Sequence, residues 1–126
     1  MKNILPIELM EAWEDREGPV VLTTTDSNAM PNSIYASIVN ITNDGRIAVA
    51  DNYFYKTKAN IDSGSKASVL FITKKHKSYQ VKGTLEYYSN GAQYEEMLTW
   101  ADPKHPRKGV VILNATEVYS GREKLA

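Results

Sequence analysis

The chain has 126 residues, with 15 Lys plus Arg set against 15 Asp plus Glu and no Cys. Balanced charge gives no reason to expect nucleic acid or an anionic membrane as the main partner, so any anion site has to be local. The lack of cysteine excludes disulfides, thiolate catalysis and Cys-ligated metals and suits a reducing compartment, and the length suits one domain over residues 1–126 with a single core.

Met1, Lys2, Asn3, Ile4, Leu5 and Pro6, with Glu8 and Glu11 close behind, lack the apolar stretch of a signal peptide, and no later run is long enough to span a bilayer. The expectation is a cytoplasmic protein with no membrane partner. Residues 6–17 are expected to be helical: Pro6 suits a first turn, Leu9, Met10 and Trp13 recur at helical spacing, and Gly18 can stop the helix. The β-branched run from Val20 to Thr25 then meets Asp26, Ser27 and Asn28, which turn the chain readily and predict a hairpin.

Its partner is expected to be one long strand over residues 32–42, where Ile34, Ala36 and Ile38 alternate with Ser33, Tyr35, Ser37 and Val39. The second set is only partly polar, which suits a barrel strand with one face in the core and the other under a ligand or a second subunit; a two-sided sheet would give the same pattern. Asn43-Asp44-Gly45 predicts a turn before the strand Arg46-Ile47-Ala48-Val49-Ala50.

Residues 56–63 predict a short helix, with Thr57 available as its cap, Ala59 and Ile61 facing inward, and Gly64 ending it. A strand over residues 67–73 follows. Residues 78–88 alternate cleanly, with Tyr79, Val81, Gly83, Leu85 and Tyr87 on one face. Residues 90–101 read as a helix that can bury Tyr94, Met97, Leu98 and Trp100, and a Pro103/Pro106 loop leads to a last strand over residues 109–118. Six strands with short helices at intervals fit an antiparallel barrel better than regular βαβ units.

The informative stretch is residues 47–61, where an apolar strand passes through the aromatic loop Asn52-Tyr53-Phe54-Tyr55 into a helix start carrying Lys56 and Thr57. Unpaired amides at a helix start, with the Lys56 ammonium and the Thr57 hydroxyl, make a pocket for a phosphate monoester without a glycine-rich loop. On spacing alone, Thr57 reads equally as an ordinary cap and Lys56, Lys58 and Lys66 as solvated charges.

The run from Pro31 to Phe71 resembles the FMN-binding half of the pyridoxamine 5'-phosphate oxidase-like family, above all its small bacterial FMN-binding members. The likeness lies in a strand beginning Pro31-Asn32, the Asp44-Gly45 turn, the strand end Ala50-Asp51-Asn52, Lys56-Thr57 followed by Asn60 and Ile61, and a further apolar strand. It extends more loosely over nearly the whole chain. It implies a mainly β fold, an antiparallel six-stranded split β-barrel of Greek-key type, and a homodimer with FMN at the interface. It also implies that Lys56 and Thr57 hold the phosphate, that Ala50, Asp51 and Asn52 lie near the ribityl chain, and that Ser33, Ile34, Tyr35, Ala36 and Ser37 run beside the isoalloxazine ring. Trp100 or His105 would reach the partner's flavin.

Two departures bear on activity. The oxidases proper carry an Arg and a Lys on the strand that here reads Ser33-Ile34-Tyr35-Ala36-Ser37-Ile38-Val39, and they end in an Arg-rich motif that grips the substrate phosphate. Here the tail Ser120-Gly121-Arg122-Glu123-Lys124-Leu125-Ala126 holds one Arg, which speaks against vitamin oxidation by that route. Two functions stay open: a flavin-dependent oxidoreductase served by a nicotinamide or a protein redox partner, and a non-catalytic FMN module for electron transfer or flavin storage. A barrel that has lost flavin and binds another phosphorylated or aromatic ligand is a third. His76, among Lys74, Lys75 and Lys77, reads as a solvated turn, the alternative being a contact for an anionic partner. His105 has no second His beside it, so no metal is expected. No Gly-x-Ser-x-Gly elbow activates a nucleophile, and no catalytic residue is named. Among the aromatics, Tyr35, Tyr53 and Tyr55 are the ones whose positions favour a ligand.

Overall fold

The period-two patterns become one curled antiparallel sheet in a computed structural model that describes residues 5–126. Residues 1–4, part of the N-terminal reading, lie outside the described residues. The strands are β1 Val20–Thr25, β2 Pro31–Ala36, β3 Val39–Ile41, β4 Ile47–Asp51, β5 Ala67–Ile72, β6 Ser78–Tyr88, β7 Gly109–Ser120 and β8 Glu123–Lys124. Among the described residues three helices join them: α1 Ile7–Glu14, α2 Lys56–Asp62 and α3 Ala92–Leu98. The sheet runs β2-β1-β5-β6-β7-β4-β3, with β8 paired to the end of β7.

Among the described residues this corrects the expected six strands to eight, for two local reasons. The segment over residues 32–42 is not one strand: it breaks at Ser37 and Ile38, and its halves β2 and β3 lie at opposite ends of the sheet. The tail turns at Gly121, whose φ of 58° suits a residue without Cβ, and adds β8. The break after β2 is the split of the barrel, because two residues carry the chain from one margin of the sheet to the other.

Inside the curl, Val20, Leu22, Ile47, Val49, Val69, Phe71, Val81, Val111, Leu113 and Val118 form the main core, and Leu9, Ala12 and Trp13 of α1 pack into it. Trp13 meets Phe71 edge-on with ring centroids 5.3 Å apart. On the opposite face of β4 and β7, Ala48, Ala50, Val110 and Ile112 are covered by Met97 of α3 and by Ala101. Strand β4 is therefore buried on both faces, which explains its unbroken apolar run.

The short helix α2 docks differently from the expectation. Tyr55, not Thr57, is its N-cap, and Thr57 and Asn60 are its buried residues, whereas Ala59 is exposed and Ile61 half-buried. The cause is its neighbours: α2 lies on polar parts of β1 and β2, where Asn60 Nδ2 donates to Thr24 Oγ1 at 3.0 Å and Asn32 Nδ2 donates to Thr57 Oγ1 at 3.3 Å. Buried polar groups need such partners.

Candidate functional site

The split in the barrel opens a cleft of about 300 Å³, lined by Ile34, Tyr35, Ala36, Ser37 and Ile38 on one side and by Ala50, Asn52, Tyr53, Phe54 and His105 on the other. Its first wall is β2 and the crossing that follows. Among the described residues β2 pairs only with β1, so half of its backbone N–H and C=O groups have no ladder partner there. The second wall is the loop from β4 to α2.

That loop is tied down at several points. Asp51 is buried at 2% exposure, and its Oδ1 accepts the Phe54 N–H at 3.0 Å while its Oδ2 accepts the Tyr87 hydroxyl at 2.6 Å. Burial, and then Asp51 itself, push the Tyr87 phenol well above its ordinary range, so it stays a donor. The loop between α3 and β7 fastens alongside: Lys108 N–H donates to the Asp51 carbonyl at 2.8 Å and Arg107 N–H to Asn52 Oδ1 at 2.9 Å. Tyr94 Oη holds the Arg107 carbonyl at 3.0 Å from the other side. Tyr53 Oη lies 3.3 Å from His105 Nδ1, with the rings edge to face.

Six of the ten residues expected at the cofactor line the cleft: Ile34, Tyr35, Ala36, Ser37, Ala50 and Asn52. The other four do not line it. Ser33 shares a hydrogen bond of 2.7 Å with Thr23 on the outer face, and Asp51 turns into the protein as described. Lys56 is exposed at the start of α2, and the Thr57 hydroxyl is buried against Asn32, two residues along β2 from Ile34. At seven residues α2 is short, so any anion held there depends mainly on the Lys56 ammonium and the Thr57 hydroxyl, whose oxygen accepts from Asn32.

His105 joins the cleft, and Trp100 is half-buried beside the core under α3. Phe54 and Ile38 also line it, although only the loop's aromatic character pointed to Phe54. Tyr35, Tyr53 and Tyr55 stand 79%, 69% and 86% exposed. Aromatic rings rarely sit so open without a partner surface. Cross-strand register sets Tyr35 beside Val21 and Val21 beside Leu70, so with Ile72 they form an apolar row across the outside of β2, β1 and β5. His76, in the turn between β5 and β6, has a positive φ of 66° and is exposed like its lysine neighbours.

A curled antiparallel sheet open at one seam, with a cleft at that seam, defines a split β-barrel. The chain belongs to the pyridoxamine 5'-phosphate oxidase family, whose model matches residues 6–120. An uncharacterized protein of Methanocaldococcus jannaschii is 30% identical over 106 residues, 80% of this chain and 71% of that one. HupZ of Group A Streptococcus has a similar structure, with a TM-score of 0.80 at 21% identity over 96% of this chain and 97% of that one. An FMN-binding protein of Syntrophomonas wolfei gives a TM-score of 0.68 at 19% identity over 91% and 90% of the two chains. HutZ, the heme storage protein of Vibrio cholerae, gives 0.67 at 14% identity over 93% and 94%. Among the described residues no helix is long and apolar enough to cross a membrane.

Proposed function

We propose that this chain folds as one unit that binds FMN in the cleft at the barrel seam, as a homodimer, and serves as a flavin-dependent oxidoreductase. The observation that carries the reading is the pairing of an open strand margin with an aromatic loop. A flavin ring needs a flat apolar slot and backbone donors and acceptors along its edge. The free margin of β2 from Ile34 to Ala36 and the Ser37 that follows, across from Ala50, Asn52 and Phe54, suit both needs. The Lys56 ammonium and the Thr57 hydroxyl suit a phosphate, and on this reading Asn52 and Ala50 would lie along the ribityl chain. FMN, when bound, supplies the hydride or single-electron chemistry, and the chain's own part is to orient it and exclude water from one face.

The dimer is supported by the apolar row of Tyr35, Val21, Leu70 and Ile72 beside the cleft, a surface fit for a second copy. That copy would also cover Tyr53 and Tyr55 and could bring its own Trp100 or His105 to the cofactor. The electron source is a nicotinamide or a protein redox partner, and the cysteine-free composition suits the cytoplasm.

A second reading rests on His105. It gives the cleft one imidazole, the side chain that heme iron takes as a ligand, and the fold is shared with a heme storage protein. The absorption spectrum of freshly purified protein, followed by titration with FMN and with heme, separates the two. The flavin reading expects a flavin spectrum that bleaches on reduction, and protein that ignores FMN but takes up heme overturns it. Steady-state turnover with NADH or NADPH and an acceptor then divides an oxidoreductase from a carrier or storage module, which gives none without its partner.

A further inference from the structure

Tyr87 touches both ends of the loop that forms the second wall of the cleft. At the β4 end its hydroxyl donates to Asp51 Oδ2 at 2.6 Å. At the α2 end, Lys58 Nζ lies 4.6 Å from the centroid of its ring, and the same ammonium is held by Asp62 at 2.8 Å. Between these anchors lie Asn52, Tyr53 and Phe54, which line the cleft, and then Lys56 and Thr57. The phenol cannot swing toward β7, because it rests directly on Gly109, where an added Cβ would lie 2.4 Å from Oη.

Asp51, for its part, has little carboxylate left for a ligand. Its two oxygens are engaged by Tyr87 and by the Phe54 amide, and its side chain is buried. A loop pinned at both ends presents its groups in one arrangement before a ligand arrives, which lowers the ordering cost of binding.

We infer that Tyr87 is a positioning residue for the cofactor site, fixing residues 52–57 from both ends, and that Asp51 acts through this latch without touching the flavin. The inference rests on the FMN reading above and names residues which that reading leaves without a contact. Tyr87→Phe removes the bond to Asp51 and keeps the ring under Lys58; Lys58→Met removes the cation and keeps the bond.

The test is FMN titration of wild-type protein, Tyr87→Phe, Asp51→Asn, their double variant and Lys58→Met, with amide hydrogen exchange at Phe54 measured without FMN. Tyr87→Phe should raise the Kd for FMN about tenfold, equivalent to about 1.4 kcal/mol. Phe54 should then exchange faster while Val69 in β5 keeps its protection. The double variant should bind little worse than the weaker single variant, since both cut the same link. Lys58→Met, on the surface, should raise the Kd about threefold and keeps the test alive if Tyr87→Phe does not fold.

Tyr87→Phe that binds FMN like the wild type, with Phe54 protection unchanged, overturns the inference. So does a loss confined to Asp51→Asn, which would make Asp51 a direct contact. Wild-type protein that takes up no FMN overturns the functional reading instead, and the exchange data tell that outcome from failure of the latch, because Phe54 still opens in Tyr87→Phe.

Discussion

Gly109→Ala is the sharpest probe of the packing beneath the cleft. Its new Cβ would lie 2.4 Å from Tyr87 Oη, 2.5 Å from Cζ and 2.8 Å from Cε1. Gly109 pairs with Asp51 in the β4–β7 ladder and is buried, so its backbone has little freedom to retreat. The ring has to yield about an ångström to regain ordinary contact, and a bond of 2.6 Å to a buried carboxylate does not survive that shift. Losing it costs about 1.5–3 kcal/mol, offset by the about 0.4–1 kcal/mol that Ala gains over Gly in the unfolded chain. The net loss is about 0.5–2.6 kcal/mol, read as a lower urea midpoint at unchanged slope. In a Tyr87→Leu background the obstructing hydroxyl is gone, and the same Gly109→Ala change should be neutral or stabilising. An equal loss in both backgrounds would show that the phenol is not what Gly109 accommodates.

Lys56→Ala should weaken FMN binding by about 1.5–3 kcal/mol through loss of a charge-assisted contact, and unchanged affinity at low salt in a fluorescence titration would count against the phosphate assignment. Leu70→Glu places a charge in the exposed apolar row and should convert the proposed dimer to monomer in sedimentation; a dimer that persists moves the interface elsewhere. Glu86 is held below the ordinary carboxylate range, first by the Tyr88 hydroxyl and, against the opposing effect of burial, by Asn114 and Arg46. A lowered carboxylate contributes stability above its unfolded-state pKa and loses it as pH falls through the folded one. Glu86→Gln should therefore flatten the acid side of the stability profile below the ordinary glutamate range, leaving the slope from Asp44, which Thr42 and Arg46 also hold low. An acid profile identical to the wild type's would refute that coupling.

Most of the fold was legible because its signals are local. Alternation marked β6, the Asn43-Asp44-Gly45 turn separated β3 from β4, and Leu9 and Trp13 set the buried face of α1. The break at Ser37 and Ile38 was not legible: alternation continues through it, and only the route of the chain across the seam distinguishes two strands from one. Thr57 was misread as a cap because the residue that engages it, Asn32 on β2, is distant in sequence. The cleft was legible in outline, since residues 34–37 and the loop after β4 carry the family resemblance. Tyr87 was assigned only to one face of an alternating strand. A buried phenol demands an acceptor, but nothing local names Asp51, which lies 36 positions earlier.

The two strands that bound the sheet, β2 and β3, are neighbours in sequence and strangers in hydrogen bonding. Along that margin the protein offers a template to which any extended chain could add itself, its own kind included. A tenant in the seam shields the template as well as occupying it. On the flavin reading, solubility becomes tied to supply: protein made faster than the proposed cofactor should clump first along this margin, and adding FMN during synthesis should rescue it.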